Sequence, residues 1–227
     1  MSLSFSLEPE SSPGVHADLR RRIIALDLPP GSPLSRAELQ ARYAVSSTPV
    51  RDALLRLKEE GLVEIYPQSR TVVSRIDLRH AREAHFLRSS VERNIVRTLA
   101  SNPPDALVRK LRHIVSLQEQ YAQEGDLEAF AGLDMAFHET LFDASGYQRL
   151  FAVIRRESVH IDRLRALHLP LGDKVARIVA DHRRVLDAIA AGSPEGAEEA
   201  MAHHLSQSIA IANMLSRDRP DYFRYDP

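Results

Sequence analysis

The spacing of apolar residues in this chain changes once, near residues 75–77, and that change divides it. Upstream, helical spacings give way to two short strand-like runs at 62–66 and 71–74. Downstream, every apolar pattern has the 3.6-residue period of an amphipathic helix, to about residue 216. A chain of this kind folds as a small α+β unit followed by a helical bundle, and is mainly α.

The upstream unit, 14–76, reads as three helices and a hairpin. Val15, Leu19, Ile23 and Leu26 share one helical face, ended by the turn Leu28-Pro29-Pro30-Gly31. Ser35 and Glu38 form a capping box that starts a second helix, running to about Tyr43. Ser46-Ser47-Thr48-Pro49 starts a third, because Ser caps well and Pro in a first turn loses no needed bond. That helix runs to Glu60 and stops at Gly61. Pro67-Gln68-Ser69-Arg70 turns between the strands. Helix, tight turn, helix and hairpin make a winged helix-turn-helix. The N-terminal residues of its second helix reach base edges or phosphates in a major groove. They are Ser46, Ser47, Thr48 and Arg51: hydroxyls and a helix N-terminus suit phosphate, and Arg suits guanine. Residues 14–76 carry 10 basic and 7 acidic side chains, about +3 on a chain whose net charge is −1. The alternative is a helical domain with solvated arginines, and the order of elements argues against it.

Six helices follow over 77–216, with short connections, as in an antiparallel six-helix bundle. They start at Asp77, Asn102-Pro103-Pro104, Asp126, about Tyr147, Asp173 and Ser193-Pro194. Three carry polar residues on apolar lines. Asp134 and His138 project four apart from a face that also holds Phe130, Phe137 and Leu141. His182 lies in line with Ile178, Val185 and Ile189, and His204 with Met201 and Ile211. One carboxylate and three imidazoles entering a core must be satisfied, and a divalent metal does so. A single core His is usually hydrogen-bonded and structural; four such residues on three inward faces favour a metal. His203 and His113 fall on solvent-facing lines, and His160 on a line that can reach the core.

Composition closes off other classes. Without Cys there is no disulfide scaffold, Cys-type zinc finger or thiol catalysis. No apolar run approaches membrane-spanning length, and residues 1–13, Ser- and Pro-rich, lack the pattern of a signal peptide. These residues are expected to be disordered, the tail 217–227 to fray, and the protein to be cytoplasmic. No Glu or His stands ready as general acid or base beside the four polar residues, so no enzyme is expected.

Particular runs carry a resemblance. The stretch 31–35, Gly-Ser-Pro-Leu-Ser, the stretch 44–54 with its Thr-Pro-Val-Arg-Asp-Ala-Leu, and 57–63 resemble the GntR family of bacterial transcription regulators. The resemblance implies that Ser46, Ser47, Thr48 and Arg51 contact operator DNA and that the wing enters the minor groove. Ser47 stands where the family usually has Arg. Arg70 stands where its wing usually has Gly, and there it would supply a cation suited to a narrow minor groove. Asp134-Met-Ala-Phe-His138, Asp181-His182 and Met201-Ala-His203-His204 resemble the FCD effector-binding domain of the FadR branch. Six helices resemble its VanR-like group. That implies one divalent metal per chain on Asp134, His138, His182 and His204, zinc or nickel first and manganese next. Arg88 matches an effector-contacting Arg of the first FCD helix; beside a metal it would favour a small carboxylate. The residues alone leave open an internal pair of Arg88 with Glu92, four on. The whole implies a homodimeric, effector-responsive regulator, a repressor by the commoner sign, that binds operator DNA and no membrane.

Overall fold

The structure, a computed structural model, describes residues 14–224. The expectation for residues 1–13 and the last three residues of the tail lie outside it. The first unit has the expected order: α1 (Val15–Ile24), α2 (Arg36–Tyr43), α3 (Ser47–Glu59), then β1 (Val63–Ile65) and β2 (Thr71–Val73). The strands pair antiparallel with Val63 opposite Val73. Pro33 bridges the outer side of Val72, an edge position where its missing N–H costs nothing. Ser35 caps α2 by accepting the Glu38 N–H, which is half of the capping box. α1 is shorter than its apolar line: Leu26 lies beyond its end with φ 66°, and Leu19 and Ile23 are its buried residues.

The bundle comprises α4 (Leu78–Ser101), α5 (Asp105–Glu124), α6 (Leu127–Ser145), α7 (Gln148–Glu157), α8 (Val159–His168), α9 (Lys174–Ala190), α10 (Pro194–Ala210) and α11 (Ala212–Asp218). These are the six expected helices with two breaks. The fourth breaks at Ser158, whose hydroxyl donates back to the Ile154 carbonyl at 2.7 Å. The sixth breaks at Ile211. Asp77, Asp126 and Ser193 cap α4, α6 and α10 by accepting N–H groups three residues on, each cap worth about 1 kcal/mol. The large core joins α4, α5, α6, α9 and α10. No helix among the described residues is long and apolar enough to cross a membrane.

The expectation of a fraying tail is corrected. Residues 220–222 form a 3₁₀ turn, and Phe223 is buried against Ile76, Ile161, Leu164 and Leu215. The backbones of Ile76 and of residues 222 and 224 exchange hydrogen bonds of 2.8 and 2.9 Å. Burial of one aromatic ring outweighs the polar composition around it.

The first unit does not close its core alone, because Val159 of α8 packs with its Leu19, Ile23, Leu57 and Leu62. The next residue, His160, is buried at the same junction. Its Nδ1 accepts the Asp77 N–H at 3.3 Å and its ring meets that of His80 edge-on. Gly61, at φ +74°, faces its Nε2. Burial, helped by the charges of Arg163 and His80 and opposed by Asp77, lowers the His160 pKa from 6.5 to about 3. Between those values the unfolded chain binds a proton that the folded one does not. Stability present at neutral pH is therefore lost as pH falls from 6.5 toward 3, by about 1.4 kcal/mol per pH unit for one such proton. His160→Gln is expected to flatten the fall of denaturant stability between pH 6 and 4 relative to wild type. Equal slopes would show that His160 carries no such linkage.

Candidate functional site

Three helices bring the four polar residues together. α6 places Asp134 and His138 one turn apart, α9 supplies His182 and α10 supplies His204, all buried. One donor atom from each lies within 4.8 Å of the others. The Nε2 atoms of His182 and His204 are 3.2 Å apart, as are those of His204 and His138. Phe137 stacks on the His182 ring at 3.9 Å between centroids.

The surrounding partners fix what the rings present to one another. His138 Nδ1 lies 2.5 Å from Glu92 Oε2, and an ionised carboxylate only accepts, so the ring proton sits on Nδ1. His182 Nδ1 lies 2.9 Å from Gln118 Oε1 and donates likewise. With Nδ1 committed outward to Glu92 and Gln118, the neutral form of each ring turns its Nε2 lone pair inward. Asp134 Oδ1, fully buried, has no hydrogen-bond partner among the described residues and faces His182 Nε2 at 3.7 Å. Lone pairs and a carboxylate oxygen converging without enough protons repel one another unless a cation lies between them. The donor set thus fits a divalent metal, with Glu92 and Gln118 as the outer partners that orient ligating histidines.

Protonation states agree with this. Burial drives the His182 pKa down to about 3, Asp134 opposing, and drives His204 well below its ordinary value. Both are neutral, the form that ligates. Burial alone would raise the two carboxyls. Instead Arg88 and His138 pull Glu92 down to about 2, and the Arg165 guanidinium holds Asp134 well below the usual range.

Two arginines flank the cluster. Arg88 Nε donates to Glu92 Oε1 at 2.6 Å, so the internal pair left open by the sequence is present. Arg165 of α8 donates to Asp134 Oδ2. Lys174, at the start of α9, is buried, and burial together with Arg165 and Arg177 lowers its pKa. Glu92, Gln118 and Arg165 are site residues that the sequence reading missed. Glu92 and Gln118 were detectable, since each interrupts an apolar line (Ile95, Val96, Leu99; Leu111, Ile114, Val115). His160 lies away from the cluster; His203 and His113 are exposed, as their lines imply.

In the first unit, Ser46, Ser47, Thr48 and Arg51 stand exposed along the opening of α3. Ser46 occupies the N-cap, but its side chain makes no cap hydrogen bond, leaving the helix N–H groups for an outside acceptor. Among the described residues Arg51 pairs only with Asp52, at 3.5 Å, with both side chains more than half exposed; such a pair contributes little. Arg70 is at the foot of the wing turn, its carbonyl accepting the Tyr66 N–H and its guanidinium over the Tyr66 ring. The tip is 67–69, with Gln68 at φ 54°. Between wing and α2 lies an open cleft of about 380 Å³, whose lining includes Ser35, Arg36, Ser69 and Arg70.

Residues 12–73 match the family model for bacterial regulatory proteins of the gntR family, and residues 83–207 match that for the FCD domain. An HTH-type transcriptional regulator in an unstable DNA locus of Streptomyces ambofaciens is 36% identical, the match covering 93% of this chain and 89% of that protein. The HTH-type transcriptional repressor RspR of Escherichia coli K12 is 27% identical over 92% of each chain. The E. coli McbR/YncC structure shares the fold at TM-score 0.74 and 23% identity, covering 88% of this chain and 96% of its own.

Proposed function

The chain belongs to the GntR family of bacterial transcription regulators, with an FCD domain after its helix-turn-helix, and we propose from this that it is a repressor whose operator affinity is set by a small organic acid bound beside a divalent metal. It is a DNA-binding regulator and not an enzyme, as its relatives are. The observation that carries the finer reading is the convergence of Asp134, His138, His182 and His204, with bare imidazole nitrogens turned inward. Bound there, zinc or nickel first and manganese next, the metal supplies positive charge and open coordination positions to a carboxylate. Arg88, Arg165 and Lys174 add the cationic surroundings that an anion needs.

Operator contact falls to Ser46, Ser47, Thr48 and Arg51, with Arg70 and Arg36 beside the wing, where exposed cations suit the phosphate backbone. For the acid to regulate, it must bind the DNA-competent and DNA-incompetent arrangements with different affinity. The test is titration of monocarboxylates, dicarboxylates and sugar acids into the metal-loaded protein–operator complex, read by fluorescence anisotropy. The reading expects at least one acid to weaken operator binding. If none shifts the affinity of a fully metal-loaded protein, the acid-responsive switch is wrong.

A homodimer follows from a reader that uses two symmetric half-sites. The bundle supports it: Phe86 of α4 is 75% exposed, and Leu150 and Val153 are exposed on α7, which packs against α4. We propose that this exposed ring is covered by a second copy of the chain. Phe86→Asp is expected to convert a dimer into a monomer by light scattering, and to weaken operator binding in step. An unchanged mass would place the dimer contact elsewhere.

A further inference from the structure

α8 is tied at once to the metal centre and to the DNA-reading unit. Residues 163 and 165 project about 200° apart around a helix, so neighbouring arginines face opposite ways. On one side Arg165 holds Asp134. On the other, Arg163 is fully buried; it donates to Ser74 Oγ at 3.2 Å and to the Ser74 carbonyl at 2.5 Å. The Ser74 hydroxyl in turn donates to the Gly61 carbonyl at 2.6 Å, directly after the end of α3. Among the described residues Arg163 has no carboxylate partner, and its Nε has no hydrogen-bond acceptor. A buried guanidinium with only neutral acceptors is a costly way to fill space, and what it supplies is direction.

The rest of α8 is packed against the DNA-reading unit and its junction with the bundle. Val159 belongs to that unit's core, and Ile161 and Leu164 pack with Ile76 and Phe223 at the junction. The break at Ser158 separates α8 from α7, bridged by the fork of Arg155 on Asp162 at 3.0 and 2.7 Å. From these contacts we infer that α8 is the coupling element of the protein. The path runs from Asp134 through Arg165, along α8 to Arg163, and through Ser74 to Gly61 and the recognition helix α3. Arg163 and Arg165 are positioning residues in it: a change in what Asp134 binds is felt at Arg165 and alters how α3 is held.

This inference rests on the proposed metal centre, and hydrogen exchange of the full chain, with zinc alone as the probe, separates the two. In wild type, zinc is expected to slow exchange about fivefold or more, the low end of an allosteric coupling, in the ligand helices, in 159–168 and in 60–76. Arg163→Met is expected to bind the same zinc per chain and keep the first two effects, while losing the effect in 60–76. Ser74→Ala, a milder cut in the same path, is expected to weaken the response in 60–76 and serves if Arg163→Met does not fold. Zinc bound in wild type with no change in 60–76, or an undiminished change there in the variants, overturns the coupling and leaves the metal centre standing. If wild type binds no zinc, the metal reading fails, and Asp134→Asn then tests the coupling without metal. Faster exchange in 60–76 supports the path, and unchanged exchange there overturns it.

Discussion

Asp134→Ala is expected to purify without metal and to lose stability even against a wild type stripped by chelator. Two effects separate in that comparison. Removing the carboxylate takes one of four donors from the site, and a buried cluster of three imidazoles binds a divalent ion far less well without its negative charge. It also leaves Arg165 facing the cluster without its partner. Breaking a buried ion pair from one side costs about 3–5 kcal/mol, and about 3 is expected here because a fifth of the Arg165 side chain is exposed. Urea unfolding of both proteins in chelator isolates the second effect, and adding metal to wild type alone adds the first. An Asp134→Ala protein that keeps its metal and matches chelated wild type in stability would mean that neither the ion pair nor the ligation is as described.

Arg51→Ala is expected to leave the fold intact and to remove most operator affinity. The side chain is more than half exposed, and its one ion pair among the described residues is the equally exposed one with Asp52, so little of the fold depends on it. A bidentate Arg–guanine contact contributes about 1–3 kcal/mol, and a dimer makes it twice, so the loss lies between about 30-fold and 10⁴-fold. The salt dependence says which contact was lost. If Arg51 reads a base, discrimination between operator and random DNA collapses. If it meets phosphate, binding to both weakens alike and the slope against log salt falls by about one per contact. Unchanged operator affinity with a folded protein would move the recognition surface away from α3.

Much of this architecture is legible in the sequence because it is local. The Ser35 cap, the Pro49 helix start, the Gly61 stop and the turn at 67–70 each lie within a few residues of what they determine. The four candidate ligands are legible for another reason: a carboxylate or imidazole on an apolar line needs a partner, and helical spacing says which side it faces. Glu92 and Gln118 obey the same rule, yet they pass as an ordinary i,i+4 pair and an ordinary amide until His138 and His182 are seen against them. What stays hidden is set by distant contacts. Nothing near Phe223 announces that Ile76 will cover it. Nothing near Ser158 announces a break, since no Gly or Pro stands there, and with α7 and α8 read as one helix the opposite bearings of Arg163 and Arg165 have no meaning.

The central claim is that the bundle is built around a metal, and metal content per chain tests it most directly. Elemental mass spectrometry of wild type beside His182→Ala, both purified without nickel resin, is expected to give close to one divalent ion per wild-type chain and almost none in the variant. No metal in wild type even after reconstitution with zinc, nickel and manganese, or equal metal in both proteins, would contradict it.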